Sequence, residues 1–129
     1  KKQQVMSHLS LNRVFLIGFL PRSPVVRYVP SGIPVVNFSL AVYRTLHSEE
    51  EKEWIDYLNI IAWRDLALFC GENLKRGDWI FVEGRVQVRT YEGPEGKKKR
   101  AYEIVASEVK PLSHPKNNKR EEVAENGGG

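Results

Sequence analysis

Trp63, Arg85, Arg89 and Tyr91 fall on segments whose alternate positions already supply an apolar face. In residues 54–63, Leu58, Ile60 and Ala62 share one face, while Tyr57, Asn59, Ile61 and Trp63 share the other. In residues 78–91, Ile80, Val82, Val86 and Val88 alternate with Trp79, Phe81, Glu83, Arg85, Gln87, Arg89 and Tyr91. Rings interleaved with guanidinium groups outside a core suit one chemistry. Bases stack on the rings, each stack contributing roughly 1–3 kcal/mol, and the arginines neutralise phosphates. Single strands expose base faces, so the pattern favours single-stranded nucleic acid over duplex. The plainer reading of any one ring is packing, and Trp54 and Trp79 also suit a cover over the barrel or a subunit contact. Exposed aromatics need a cover of some kind, either a nucleic acid or a protein surface. The run Lys97-Lys98-Lys99-Arg100 reads as a phosphate-gripping finger, with a solvated loop as the alternative.

Catalytic constellations do not emerge. His8, His47 and His114 are far apart, and no paired spacing suggests a metal site. Cys70 lies on the apolar side of a helical pattern, where an inert thiol is expected. Gly93-Pro94-Glu95-Gly96 lacks the Lys-Ser/Thr of a phosphate loop and precedes a strand rather than a helix. A non-enzymatic protein without cofactor or metal is the expectation.

The elements that must hold these side chains are mostly strands. An apolar run at 11–20 is bounded by Pro21 and Pro24, and 25–29 continues it, before a turn at Pro30-Ser31-Gly32. Val36, Phe38, Leu40 and Val42 alternate with Asn37, Ser39, Ala41 and Tyr43 in the second strand, and 54–63 is the third. Leu66, Phe69, Cys70 and Leu74 recur at helical spacing, predicting a helix over 64–75 with Asp65 near its start and Gly77 at its end. The fourth strand is 78–91, residues 92–100 form a hairpin tip, and the fifth strand is 101–112. Five strands with one helix between the third and fourth is the element order of an OB-fold barrel. Closure also removes exposed sheet edges. A barrel of the SH3 type is the alternative, though it does not require the helix.

The chain of 129 residues, 41% hydrophobic and 28% charged, suits one domain. We expect a flexible extension at 1–8, the folded domain at 9–112, and a disordered tail or linker at 113–129, which ends in Gly127-Gly128-Gly129. Met6 is a candidate natural start. No apolar run approaches the ~20 residues of a membrane helix, and no secretory signal is evident at the N-terminus. A single cysteine cannot form an internal disulfide, and an intracellular setting follows. The net charge of +4 is unevenly spread: +6 over 1–46, −5 over 47–72, +3 over 73–112 and zero thereafter. Basic first and third segments suit a polyanion, although +4 also serves simple solubility.

Several landmarks together resemble one family. Leu11-Asn12-Arg13-Val14-Phe15-Leu16-Ile17-Gly18 is similar to the opening strand of bacterial and mitochondrial single-stranded DNA-binding proteins. Pro24-Val25-Val26-Arg27-Tyr28 with Pro30-Ser31-Gly32, then Asn37-Phe38-Ser39-Leu40-Ala41, resemble the next two landmarks. Leu74-Lys75-Arg76-Gly77 and Val82-Glu83-Gly84-Arg85 resemble the helix end and fourth strand. The likeness runs in order over 11–112. It implies an OB-fold that assembles as an oligomer, usually a homotetramer, and wraps single-stranded DNA in replication, recombination and repair. Tyr57 and Tyr91 stand at stacking tryptophan positions and Trp63 at a phenylalanine position. Arg13, Arg27, Lys75, Arg76 and Arg89 match positions where basic residues line the DNA path. Adding the residues read directly, the expected DNA-binding set includes Tyr43, Arg85, Lys97, Lys98 and Lys99. Leu46 replaces a further stacking tryptophan, which moves that platform to Tyr43 or removes it. Leu58 replaces a polar residue that supports the tetramer, so a dimer stays open. The acidic C-terminal tip that recruits replication and repair proteins is absent: either the chain is truncated at Gly129 or this member works without it.

The expected partners are single-stranded DNA and further copies of the chain, with no membrane partner. The setting is the cytoplasm and bacterial nucleoid, or alternatively the mitochondrial matrix. Competing readings are a primosomal replication protein-like dimeric OB-fold and a protein-interaction module using Trp63 and Tyr91. A nuclease is the remaining one, without a carboxylate cluster to support it.

Overall fold

The computed structural model describes residues 8–45 and 54–112. The expected extension and tail lie outside these, apart from His8, as do Leu46, His47 and His114. Alternating apolar residues build six strands: β1 (Val14–Phe19), β2 (Val25–Tyr28), β3 (Pro34–Tyr43), β4 (Ile55–Trp63), β5 (Trp79–Glu92) and β6 (Lys98–Pro111). One helix, α1 (Arg64–Asn73), joins β4 to β5. The sheet runs β1-β5-β6-β4-β3-β2, and a further pairing of β1 with β3, at Phe19↔Ala41, closes β1, β5, β6, β4 and β3 into a ring. This is the closed, OB-like arrangement that the element order implies.

The closing seam depends on Gly18. A Cβ there would lie 2.2 Å from the Ala41 carbonyl oxygen, so only glycine lets β1 approach β3 this closely. Inside, Leu20, Val36, Leu40, Ile60, Ala62, Ile80 and Val82 are fully buried, and α1 covers the barrel with Ala67 and Cys70, followed by Leu74 just past its end. Each buried Leu, Ile or Val stabilises the fold by about 1.5–3 kcal/mol.

Three expected boundaries need correction. Residues 25–28 do not continue the first strand. Pro21 and Pro24 interrupt it, and β2 instead forms a hairpin with β3, Val25 opposite Asn37 and Tyr28 opposite Pro34. The helix ends at Asn73, not 75, because Leu74 is already extended and the Asn73 Nδ2 donates to the Phe69 carbonyl at 3.0 Å. The basic run is not all hairpin tip: Lys98, Lys99 and Arg100 belong to β6, opposite Glu92, Tyr91 and Thr90. Past the barrel, β5 and β6 therefore form a two-stranded arm.

The base of this arm contains a bulge. Glu83 faces Glu108, but Gly84 faces Ala106, leaving Ser107 as the extra residue, with its hydroxyl 3.2 Å from the Glu83 carbonyl oxygen as donor. Strands pass close here as well: a Cβ on Gly84 would lie 2.3 Å from the Val105 carbonyl oxygen.

Candidate nucleic-acid interface

The outer surface of the barrel is assembled row by row from the strand registers. Arg27, Val35 and Trp63 stand side by side across β2, β3 and β4; Val25, Asn37 and Ile61 follow, then Ser39 with Asn59, then Ala41 with Tyr57. On the arm the corresponding pairs are Arg85 with Val105, Gln87 with Glu103, Arg89 with Ala101, and Tyr91 with Lys99. Parallel pairing joins the two halves at Ile60↔Ile104 and Ile61↔Val105. Beside this join lies a groove of about 850 Å³, walled by the 21–27 segment, β3, β4 and the arm.

Arg22, Arg27 and Arg89 give the groove its positive charge; Asn37, Ser39 and Asn59 give it neutral polar groups; Tyr57 gives it a ring. Tyr57 is 62% exposed, and its cross-strand neighbour Ala41 is too small to cover the ring. Trp63, 41% exposed, extends the same face past Val35 toward Arg27, at the ~4.8 Å spacing of adjacent strands. Arg27 is anchored by a 2.8 Å bond from its Nη2 to the Asn37 Oδ1. Arg85 donates from Nη1 to the Gln87 Oε1 at 3.1 Å. Rings and cations thus lie on one continuous surface, the arrangement that serves base stacking and phosphate neutralisation.

The remaining expected residues fall in several places. Lys75 and Arg76 follow α1, and the Arg76 backbone N–H donates to the Ser23 Oγ at 2.9 Å, which brings this corner to the groove rim. The Lys75 Nζ lies 3.9 Å from the Asp78 carboxylate. Lys99 shares the Tyr91 face of the arm, Lys98 lies on the opposite face, and Lys97 sits in the turn, its carbonyl accepting from the Gly93 N–H at 2.7 Å. Tyr43 and Arg13 are elsewhere. The Tyr43 ring packs 5.9 Å from Phe19 and 6.4 Å from Trp79, and the Arg13 guanidinium is bound to Glu83.

Those two residues border a second surface, the outer face of β1 and the first half of β5. Phe15 stacks on Phe81 at 6.3 Å, Ile17 opposes Phe81, and Phe19 contacts Trp79 at 5.3 Å. Phe15 is 61% exposed and Ile17 54%, so a contiguous apolar patch faces outward. Trp54, by contrast, lies under the Arg44 guanidinium, 5.0 Å from its ring centre.

Sequence reasoning did not single out Arg22 or Glu103. Glu103 is the one charged side chain buried among the described residues, and it lines the groove. Both residues sit where no periodic pattern marks them: Arg22 between two prolines, Glu103 in a strand whose alternation the bulge interrupts.

Burial pushes the Cys70 thiol up to about 11, which keeps it protonated at neutral pH. Among the described residues no three His, Cys, Asp or Glu side chains gather as a metal site, and no helix is long and apolar enough to cross a membrane.

Residues 11–112 match the model of the single-strand binding protein family. The chain is 44% identical over 106 residues to the single-stranded DNA-binding proteins of two Neisseria meningitidis strains, serogroups A and B, covering 81% of this chain and 61% of each relative. It is 40% identical over 116 residues to single-stranded DNA-binding protein 2 of Listeria monocytogenes, covering 90% of this chain and 72% of that one. The chain thus spans about three fifths of the length of the Neisseria relatives.

Proposed function

The chain belongs to the single-strand binding protein family, and from that premise we propose that it binds single-stranded DNA without sequence preference, protecting it during replication, recombination and repair. The observation that carries this reading is the convergence of Arg27, Tyr57 and Arg89 on one groove, with Trp63, Arg85, Tyr91 and Lys99 continuing the same face. Bases stack on Tyr57, Trp63 and Tyr91 while the cations follow the phosphates. The binding step breaks no covalent bond, so the protein acts as a binder rather than a catalyst. Neutral Asn37, Ser39 and Asn59 between the cations tolerate any base, since each offers only a side chain that both donates and accepts.

Arg76 and Lys75 extend the cationic path around the rim, and Lys97 and Lys98 add charge at the end of the arm. The proposal leaves Tyr43 and Arg13 off this path, because their rings and charges are engaged on the apolar face.

That apolar face supports a second element of the reading, assembly into a homo-oligomer. Phe15, Ile17, Trp79 and Phe81 form a surface that a second copy covers, while the groove stays open to DNA. A dimer, as in primosomal replication proteins, and a tetramer are separated by sedimentation equilibrium. The cytoplasm and nucleoid are the proposed setting, and replication and repair proteins the proposed further partners.

Titration with a long oligo-dT, followed by tryptophan fluorescence at low and high salt, tests the DNA reading. Deep quenching is expected, with a log–log salt slope of about −3 to −3.5, for four to five phosphate contacts at ~−0.7 each. Replacing Trp63 by Phe should remove most of the quenching. A signal unmoved by DNA at either salt would sink the reading and leave a protein-contact module.

A further inference from the structure

We propose that Glu103 is a competitor for phosphate built into the groove: it holds Arg89 and thereby loosens the grip on single-stranded DNA. The proposal rests on the DNA-binding reading above. Glu103 is only 8% exposed, and its Oε2 accepts from the Gln87 Nε2 at 3.1 Å. Its other oxygen, Oε1, lies 3.7 Å from the Arg89 Nε. The Arg89 side chain itself is 62% exposed and lines the groove together with Arg27 and Tyr57. A buried carboxylate is costly unless paired, and shape alone does not demand one here. A glutamine of nearly the same volume could still accept from Gln87. What the charge adds is attraction for the guanidinium, at the place where phosphate would need it.

The contrast with Arg27 makes the point. Arg27 donates to the neutral Asn37 amide, so its full charge is available to a phosphate. A phosphate reaching Arg89 must share it with Glu103. That contact releases less counterion than a free arginine would, and it lowers both the affinity and the salt dependence of the groove. The consequence is a strand held firmly by stacking yet released quickly, as suits a protein that must give DNA up to other proteins.

The test compares wild type and Glu103→Gln, as the full chain, in oligo-dT titrations over a range of salt. The substitution is expected to tighten binding at low salt by about three- to tenfold and to steepen the log–log slope by about 0.7, one added single-strand phosphate contact. Dissociation should slow in proportion, and the gain should be smaller in the Arg89→Gln background, where only the direct repulsion between the carboxylate and a phosphate is relieved. Equal or weaker binding by a Glu103→Gln protein that melts like wild type overturns the proposal. If that variant does not fold, Arg89→Gln and Arg27→Gln decide. Arg89→Gln should weaken binding less than about threefold with a slope near wild type, and Arg27→Gln should flatten the slope by about 0.7. Equal losses overturn the proposal. A wild type that fails to bind oligo-dT overturns the DNA reading as well, whereas a binding wild type with an unresponsive Glu103→Gln overturns this inference alone.

Discussion

One face of β5 carries two different surfaces. Trp79 and Phe81 sit against Phe19 and Ile17 of β1 and make an apolar patch; Arg85, Gln87, Arg89 and Tyr91 sit against β6 and make a basic, aromatic one. Both halves alternate with period two, and both leave rings exposed. The difference lies in the neighbours. On the β1 side each ring meets another apolar side chain, so the rings cluster with each other and call for a protein surface. On the β6 side the neighbours are Val105, Glu103, Ala101 and Lys99, none of them aromatic, so the one ring, Tyr91, stands apart among cations. An exposed aromatic is therefore not informative by itself; the residue opposite it in the sheet decides what can cover it. The border is marked by Glu83, which ties down Arg13.

The division of labour can be broken in four ways, beginning with the largest effect. Replacing Ile17 and Phe81 together by Lys should lower the self-association constant by more than about a hundredfold, from lost burial of two large side chains. Sedimentation equilibrium would show the mass falling, with oligo-dT quenching per protomer retained; an unchanged mass would mean the apolar patch is not the subunit contact. Tyr57→Ala should do the reverse, costing about 5- to 150-fold in oligo-dT affinity for one lost stack and leaving the mass alone. Arg27→Gln should weaken binding a few-fold and flatten the salt slope by about 0.7, read from titrations at several salt concentrations. Arg13→Gln should have the smallest effect, less than about twofold on DNA affinity and within ~1 kcal/mol in urea unfolding, because an exposed ion pair contributes little. If Arg13→Gln weakened DNA binding as much as Arg27→Gln, the border between the two surfaces would be misplaced.

The barrel was legible because its core set keeps one parity within each strand: Val36, Phe38 and Leu40, then Ile60 and Ala62, then Ile80 and Val82 all face inward, although Val35, Ala41 and Ile61 of the other parity are buried as well. Of the groove lining, Tyr57 and Arg89 were legible for the same reason, since together with Trp63, Arg85 and Tyr91 they are the complement of that core set. What spacing could not reveal is which outward residues become neighbours. Tyr43 shares a face with Asn37 and Ser39, yet the seam at Phe19↔Ala41 delivers its ring to Trp79 instead. Arg13 meets Glu83 only because β1 pairs with β5, 70 positions further on. Glu103 escaped notice because strict alternation fails along β6. Ile104 and Ala106 face the core, and so does Val109, an odd number of residues later. A slip of one residue in the pairing is invisible to a period-two reading.

That slip has a mechanical consequence. A bulge bends the strand that carries it, so the offset at Gly84 and Ser107 sets the direction of the arm, although neither residue lies in the groove lining. The arm behaves as a lever whose elbow is one residue of extra chain. Removing Ser107 would leave the inward set 104, 106, 109 in perfect alternation and every groove residue in place along the chain, while swinging Arg89 and Tyr91 to a new angle. The gain or loss of a single residue at this elbow is thus a way to re-aim the whole arm without altering any side chain it carries.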